Sequence, residues 1–215
     1  MEAVLDAAVA LLDEAGGPAL TFRALAARLG TGVGTIYWYV QNKDELLDRA
    51  TDHAISGVLA AVEEHPDSGD PIADLRGMAV ALFDAIVDRP WLSAYFMRNT
   101  DVQGNSLRLY ERLGRQTLRL DLTSRQRFHA VSAITGVVVG TAADLGAEIP
   151  QELLDGEVDR EAYLGRFAET WRSLDAEEFP FVRHIADEFA GHDDRDQFLA
   201  ALDLTLAGLR LQAGG

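Results

Sequence analysis

The sequence predicts an all-α protein, and three observations carry that expectation. Apolar residues recur at three- and four-residue spacing along most of the chain, and no segment shows the two-residue alternation of a half-buried strand. Glycine, proline and short polar residues punctuate the periodic runs where helices start and stop. With 215 residues and 48% hydrophobic content the chain has ample material for a packed core, and no internal repeat is visible.

Residues 2–15 place Val4, Ala8, Leu11 and Leu12 on one face, and Gly16-Gly17-Pro18 is a strong stop. Thr21 is a good N-cap for a second helix with Phe22, Leu25, Ala26 and Leu29 on its buried stripe, and Gly30 supplies a left-handed end. Thr31 is placed to cap a very short third helix, whose Ile36 and Val40 face back onto Leu25 and Leu29. Asn42 followed by Glu45 forms a capping box that opens a fourth helix towards His65-Pro66. Asp70 then caps a helix led by Pro71. Further helices are expected over 91–98, 104–120, 123–147, 158–173, 176–189 and 194–212. The stretch 148–159, with Pro150 and Gly156, is expected to be a mobile loop.

The charge distribution is uneven. The whole chain carries −16, yet from Ala15 through Lys43 the charged residues are Arg23, Arg28 and Lys43, the last being the sole lysine. Residues 1–50 sum to −3 and the remainder to −13. A positive island in an acidic protein fits a phosphate backbone. The second and third helices have the spacing of a helix-turn-helix, in which the later helix enters the major groove. Thr35, Tyr37, Tyr39 and Lys43 are donors suited to phosphate oxygens, and the Arg23 guanidinium matches guanine or phosphate.

The run Leu25-Ala26-x-x-Leu29-Gly30, then Gly34-Thr35-Ile36-Tyr37-Trp38-Tyr39-Val40 and Asn42-Lys43-x-x-Leu46-Leu47, resembles the N-terminal domain of the tetracycline-repressor (TetR) family of transcriptional regulators. Pro180-Phe181-Val182-Arg183 and 198–209 resemble that family's C-terminal helices more loosely. The resemblance implies a DNA-binding domain over 1–45, an effector-binding and dimerisation domain over 46–215, and a cytoplasmic homodimer that binds a palindromic operator and is released by a small effector. Carried over by position, Tyr37 and Lys43 grip the DNA backbone, Thr35 and Tyr39 support them, and Arg23 reads bases. Thr31 and Val33 complete the expected DNA-binding set, and Trp38 either contacts DNA or packs beneath the helix as an aromatic wedge. The glycines at 32 and 34 lie where the recognition helix begins and read no bases. A basic arm that relatives often carry before the first helix is not seen in the numbered chain.

In the later part an aromatic and aliphatic set is expected to line an apolar effector cavity: Met78, Leu82, Phe83, Ile86, Trp91, Tyr95, Phe96, Met97, Tyr110, Phe128, Phe167 and Trp171, with Arg98, Gln116 and His129 as polar anchors. The same residues at helical spacing also suit an ordinary core. The resemblance places Leu59 and Tyr95 where the tetracycline-binding members carry histidines, so tetracycline itself is not the expected effector. Ala133, Gly136, Gly140 and Ala143 give one helix a small-residue face that suits close approach of a partner helix or close packing within the subunit. Leu199, Leu202, Leu206 and Leu209 share one face of the final helix, and the resemblance implies that these two helices form a four-helix bundle across the dimer.

Enzyme chemistry finds no foothold. There is no cysteine, no nucleophile elbow, no phosphate-binding glycine loop and no zinc motif. The Glu-x-x-His spacing of di-iron helices is missing, and His184, Glu188 and His192 at four-residue steps read as a solvated face rather than a metal site. No metal or cofactor is therefore expected, and because the longest charge-free apolar stretch, 130–143, is shorter than the roughly 20 residues a membrane helix needs, no membrane partner is expected either. The alternative to a regulator is a non-enzymatic helical binder of a hydrophobic molecule or protein, with weak DNA binding.

Overall fold

Local capping chemistry builds the first three turns of the fold, seen here in a computed structural model that describes residues 1–64, 67–98, 104–145 and 151–214, and only the backbone of Ala94, Met97, Arg98, Gln151 and Leu154. Helix α1 (Glu2–Ala19) is interrupted at Ala15 and Gly16, where Gly16 takes φ +67 and the Gly16-Gly17-Pro18 signal turns the chain. Helix α2 (Phe22–Arg28) starts where the Thr21 hydroxyl accepts from the Ala24 amide at 3.1 Å, and Gly30 at φ +63 ends it. Helix α3 (Val33–Ile36) is capped differently from expectation. Gly32 precedes it without a side-chain cap, and the Thr31 hydroxyl instead donates to Thr35 Oγ1 at 3.0 Å.

Helix α4 (Lys43–Glu63) opens on Asn42, whose Oδ1 accepts from the Glu45 amide at 2.8 Å. The Glu45 carboxylate reaches one residue past the usual box and accepts from the Gln41 amide at 2.7 Å. Leu12, Leu25, Ile36 and Leu46 are fully buried, so one shared core holds α1 to α4 together. Truncating Ile36 to Ala would remove about 2–5 kcal/mol from it.

Asp70 accepts from the Ile72 and Ala73 amides and starts α5 (Pro71–Val87) with proline in the first turn. Then follow α6 (Trp91–Arg98), α7 (Gly104–Leu118) and α8 (Ser124–Leu145). Helix α5 packs on α4, α7 and α8, and α7 also packs on α4. Met78, Leu82, Phe83 and Ile86 fill this second core. Arg127 fastens the α7–α8 corner by donating to the carbonyls of Thr117 and Leu120, each at 3.1 Å. Asp74 is fully buried: it accepts from Ser68 Oγ at 2.6 Å, from the Ser68 amide at 2.9 Å and from Arg119 at 3.0 Å. Burial pushes its carboxyl up, but the Ser68 and Arg119 bonds outweigh that and hold it down at about 2.

The chain parts into two compact units, residues 1–146 with 202–215, and residues 147–201. The expected boundary at 45/46 falls inside α4, which runs unbroken through it. In the smaller unit, part of the expected loop, 148–150, lies outside the described residues, while Gln151–Leu154 forms a short helix, α9. Asp159 caps α10 (Arg160–Ser173) by accepting from the Ala162 amide at 2.7 Å. The helix expected over 176–189 is two, α11 (Pro180–His184) and α12 (Ala186–Gly191), broken at Ile185. The break separates His184 from Glu188, so the four-residue steps of His184, Glu188 and His192 do not follow one helical face. His192 Nδ1 lies 2.7 Å from the Phe189 carbonyl. Among the described residues no three acidic or histidine side chains gather as a metal site. The last helix, α13 (Asp194–Ala213), crosses from this unit into the larger one. Within the larger unit Arg76 pairs with Asp203 and Arg210 with Asp70, fixing α13 to α5 and its cap. All elements among the described residues are helices.

Candidate nucleic-acid interface and effector cavity

The expected DNA-binding residues gather around α2, α3 and the start of α4, and most of them are exposed. Trp38 is 88% exposed, which rules out the wedge beneath the helix. Tyr37, 57% exposed, meets the Phe22 ring edge-on with centroids 4.8 Å apart, so its ring is steered while its hydroxyl stays in solvent. Tyr39 and Thr35 are exposed, and Thr31 and Val33 are half-buried.

Two partners escape sequence reading. Arg28 pairs with Glu14 of α1, so one cation of the positive island is neutralised within the chain. Lys43 donates from Nζ to the Gly17 carbonyl at 3.0 Å, which fixes the amine while leaving two of its three donors for a ligand. Arg23 is exposed and forms no ion pair among the described residues. Adding a Cβ at Gly32 or Gly34 meets nothing within 4 Å.

Two polar joints tie this head to the helices beyond it. Trp91 Nε1 donates to Asp13 of α1 at 2.8 Å, and Arg89 pairs with the same carboxylate at 3.2 Å. Asn105, at the start of α7, clamps Asp52 of α4: its amide nitrogen donates to Oδ1 at 2.9 Å, and its side-chain amide donates to the Asp52 carbonyl at 2.9 Å and to Oδ2 at 3.2 Å.

Next to that clamp lies an apolar cavity of about 150 Å³. Leu82 of α5, Phe96 of α6 and Leu109, Tyr110 and Leu113 of α7 line it, together with Ser106 of α7 and Thr135 of α8. Of the residues expected to form such a cavity, Leu82, Phe96 and Tyr110 do so, while Met78 is buried in the core, Phe167 lies in the smaller unit and the Met97 side chain lies outside the described residues. Phe83 and Ile86 belong to the solid core, and Tyr95 is buried outside the cavity lining. Trp91 is spent on Asp13. Gln116 is buried with its oxygen accepting from Arg119 at 2.7 Å. Phe128 and His129 are exposed on α8. Trp171 stands in the smaller unit against Phe189, ring centroids 4.2 Å apart. The Arg98 side chain lies outside the described residues. Ser106 and Thr135 were missed because a hydroxyl in an amphipathic helix looks like a solvent-facing residue.

The expected dimer face also changes. Leu202, Leu206 and Leu209 are 0%, 4% and 5% exposed, because they turn inward within the chain. What α13 displays instead is Leu204, 76% exposed, and Leu211, 79% exposed. Ala133, Gly136 and Gly140 are exposed on α8 and Ala143 is half-buried. A groove of about 270 Å³ runs between α8 and α13, floored by Ala130, Ala133, Ile134 and Gly208. Helix α8 is long and apolar enough to cross a membrane by length and composition, yet only 28% of its most apolar window is buried.

Exposed donors on and just beyond the short α3, a turn with glycines at 30, 32 and 34, and a helical body with a cavity fit a helix-turn-helix transcriptional regulator. Residues 4–50 match the family model of bacterial regulatory proteins of the tetR family, and residues 64–213 match the tetracyclin repressor-like C-terminal domain. The chain belongs to the TetR family of transcriptional regulators. It is 28% identical to the HTH-type transcriptional repressor DrrR1 of Streptomyces coeruleorubidus over 213 residues, which is 98% of this chain and 77% of that protein. Over 47 residues, 22% of each chain, it is 53% identical to the class D tetracycline repressor protein of Escherichia coli. The solved structure of the transcriptional regulator SCO7222, a TetR from Streptomyces coelicolor, superposes with a TM-score of 0.82 at 36% identity, covering 99% of this chain and 98% of that one. The fold is shared with Streptomyces coelicolor ActR, solved in complex with actinorhodin, at a TM-score of 0.82 and 24% identity over 98% of this chain and 95% of ActR.

Proposed function

We propose that this protein is a homodimeric repressor that binds a palindromic operator and is released when a small, largely apolar effector enters the cavity under α7. The observation that carries the reading is the Asn105 clamp, because it joins the helix lining the cavity to α4, the helix that begins in the DNA-binding head. The name of DrrR1 and the ligand seen in ActR support repression and effector binding by analogy.

Tyr37 and Lys43 hold phosphates, with Thr35 and Tyr39 beside them. Arg23, which is exposed and forms no ion pair among the described residues, reads a base or an inner phosphate. The dimer forms through the exposed small residues of α8 and through Leu204 and Leu211 of α13, apolar surface that a partner copy would cover. Two recognition helices then stand about 34–36 Å apart, one turn of DNA. Effector binding releases DNA only by favouring the arrangement of α4 that spoils this spacing, so operator and effector oppose each other reciprocally. The head comprises residues 1–45 and the remainder serves dimerisation and effector binding, in the cytoplasm where the operator lies.

The test is selection of duplexes from a random pool. A palindromic consensus retarded by a dimer, and released by a compound that also raises the protein's melting temperature, is the expected result. A pool that yields no sequence preference would overturn the reading.

A further inference from the structure

Ser106 and Thr135 line the same cavity from two different helices, and their hydroxyl oxygens are buried without a hydrogen-bond partner among the described residues. A buried hydroxyl without a partner gives up its hydration for nothing, and native interiors rarely tolerate one. Both residues line one apolar space, and among the described residues nothing supplies a partner for either hydroxyl. The rest of the lining is hydrocarbon and aromatic, and no charged side chain among the described residues contributes to it. An ionised ligand would lose its hydration there without a counter-charge. A cavity of about 150 Å³ holds one benzene-sized ring. Tyr110, which lines it, is itself 40% exposed.

We infer that the cavity takes a neutral, single-ring molecule bearing hydroxyl or carbonyl oxygens, with Ser106 and Thr135 as its two hydrogen-bonding anchors. The inference rests on the reading of this cavity as the effector site. A hydroxyl both donates and accepts, so the pair recognises phenols and cyclic ketones alike and discriminates against hydrocarbons and carboxylates.

Calorimetric titration of the full chain at pH 7 with benzene-1,3-diol, benzene-1,4-diol, toluene and benzoate tests it. At least one diol should bind about tenfold more tightly than toluene, a hydrogen-bond-sized difference. Benzoate should bind about 100-fold more weakly than that diol. The double variant Ser106→Ala, Thr135→Val should lose the preference for diol while holding toluene unchanged, which also reports that the cavity is folded. Thr135→Ser should keep the preference. Equal binding of diol and toluene, benzoate bound as well as the diol, a preference that survives the double variant, or no binding by any probe would overturn the assignment. Repeating the titration on the operator complex separates the two readings. A diol that binds as expected yet leaves operator affinity unchanged upholds the ligand class and removes the effector role.

Discussion

In the helix-turn-helix the groups offered to a partner stand in water, on a scaffold whose caps and turns are all local. In the cavity the offered groups are two buried hydroxyls, brought together by four helices from separate parts of the chain. The head is thus a surface finished before its ligand arrives, and binding there exchanges hydration and counterions for phosphate contacts. The cavity is unfinished, since its polar groups await a partner that restores the lost hydrogen bonds. One site is tuned by electrostatics and salt, the other by shape and desolvation, and Asn105 on Asp52 is where the two meet.

The largest effect expected from breaking this contrast lies at the head. Replacing Tyr37 and Lys43 together by Ala should weaken operator binding by about 100-fold or more in gel retardation, with little change in effector binding. Unchanged retardation would remove both phosphate assignments. Next in size is the dimer. Leu204→Arg, or Gly140→Leu, should convert the protein to a monomer in analytical ultracentrifugation, and because both positions are exposed the monomer should stay folded. A dimer mass in both variants would place the interface elsewhere.

Asn105→Ala should sharpen the comparison by cutting the joint between the two sites. Effector should still bind, but its influence on operator affinity should shrink by about tenfold, the scale of an allosteric coupling free energy. Coupling of undiminished size would assign the signal to Trp91 and Asp13 instead. The smallest effect concerns stability alone. Asp74→Ala leaves Arg119 without its buried partner and should cost about 2 kcal/mol, or roughly 5 °C in melting temperature. In the native protein the Asp74 carboxyl is held down at about 2 from an ordinary 3.8, so its contribution is present above that ordinary value and fades as pH falls towards 2. Acid unfolding of the Ala variant should be correspondingly less steep over that range.

How much of this was legible depended on range along the chain. Thr21, Gly30, Asn42 and Asp70 act on residues two to four positions away, so a cap or a left-handed turn is visible in the sequence itself. The leucines of α13 were legible as a buried stripe. Whether they bury into their own chain or a partner was not, because periodicity gives a face without saying what covers it. Ile185 breaks a helix without glycine or proline, a tertiary effect with no local signature. Arg28 lost its apparent freedom to Glu14, fourteen residues earlier, through the fold of α1 against α2. Ser106 and Thr135 gained their meaning only when α7 and α8 closed over the same space.

Lys43 has one more consequence. As the chain's single lysine it is, with the amino terminus, one of two primary amines, and its Nζ sits against the Gly17 carbonyl on the face assigned to DNA. An acylating reagent therefore labels this protein almost site-specifically. The rate of that one modification serves as a clock for occupancy of the operator face, readable by mass on the untagged, unmutated protein.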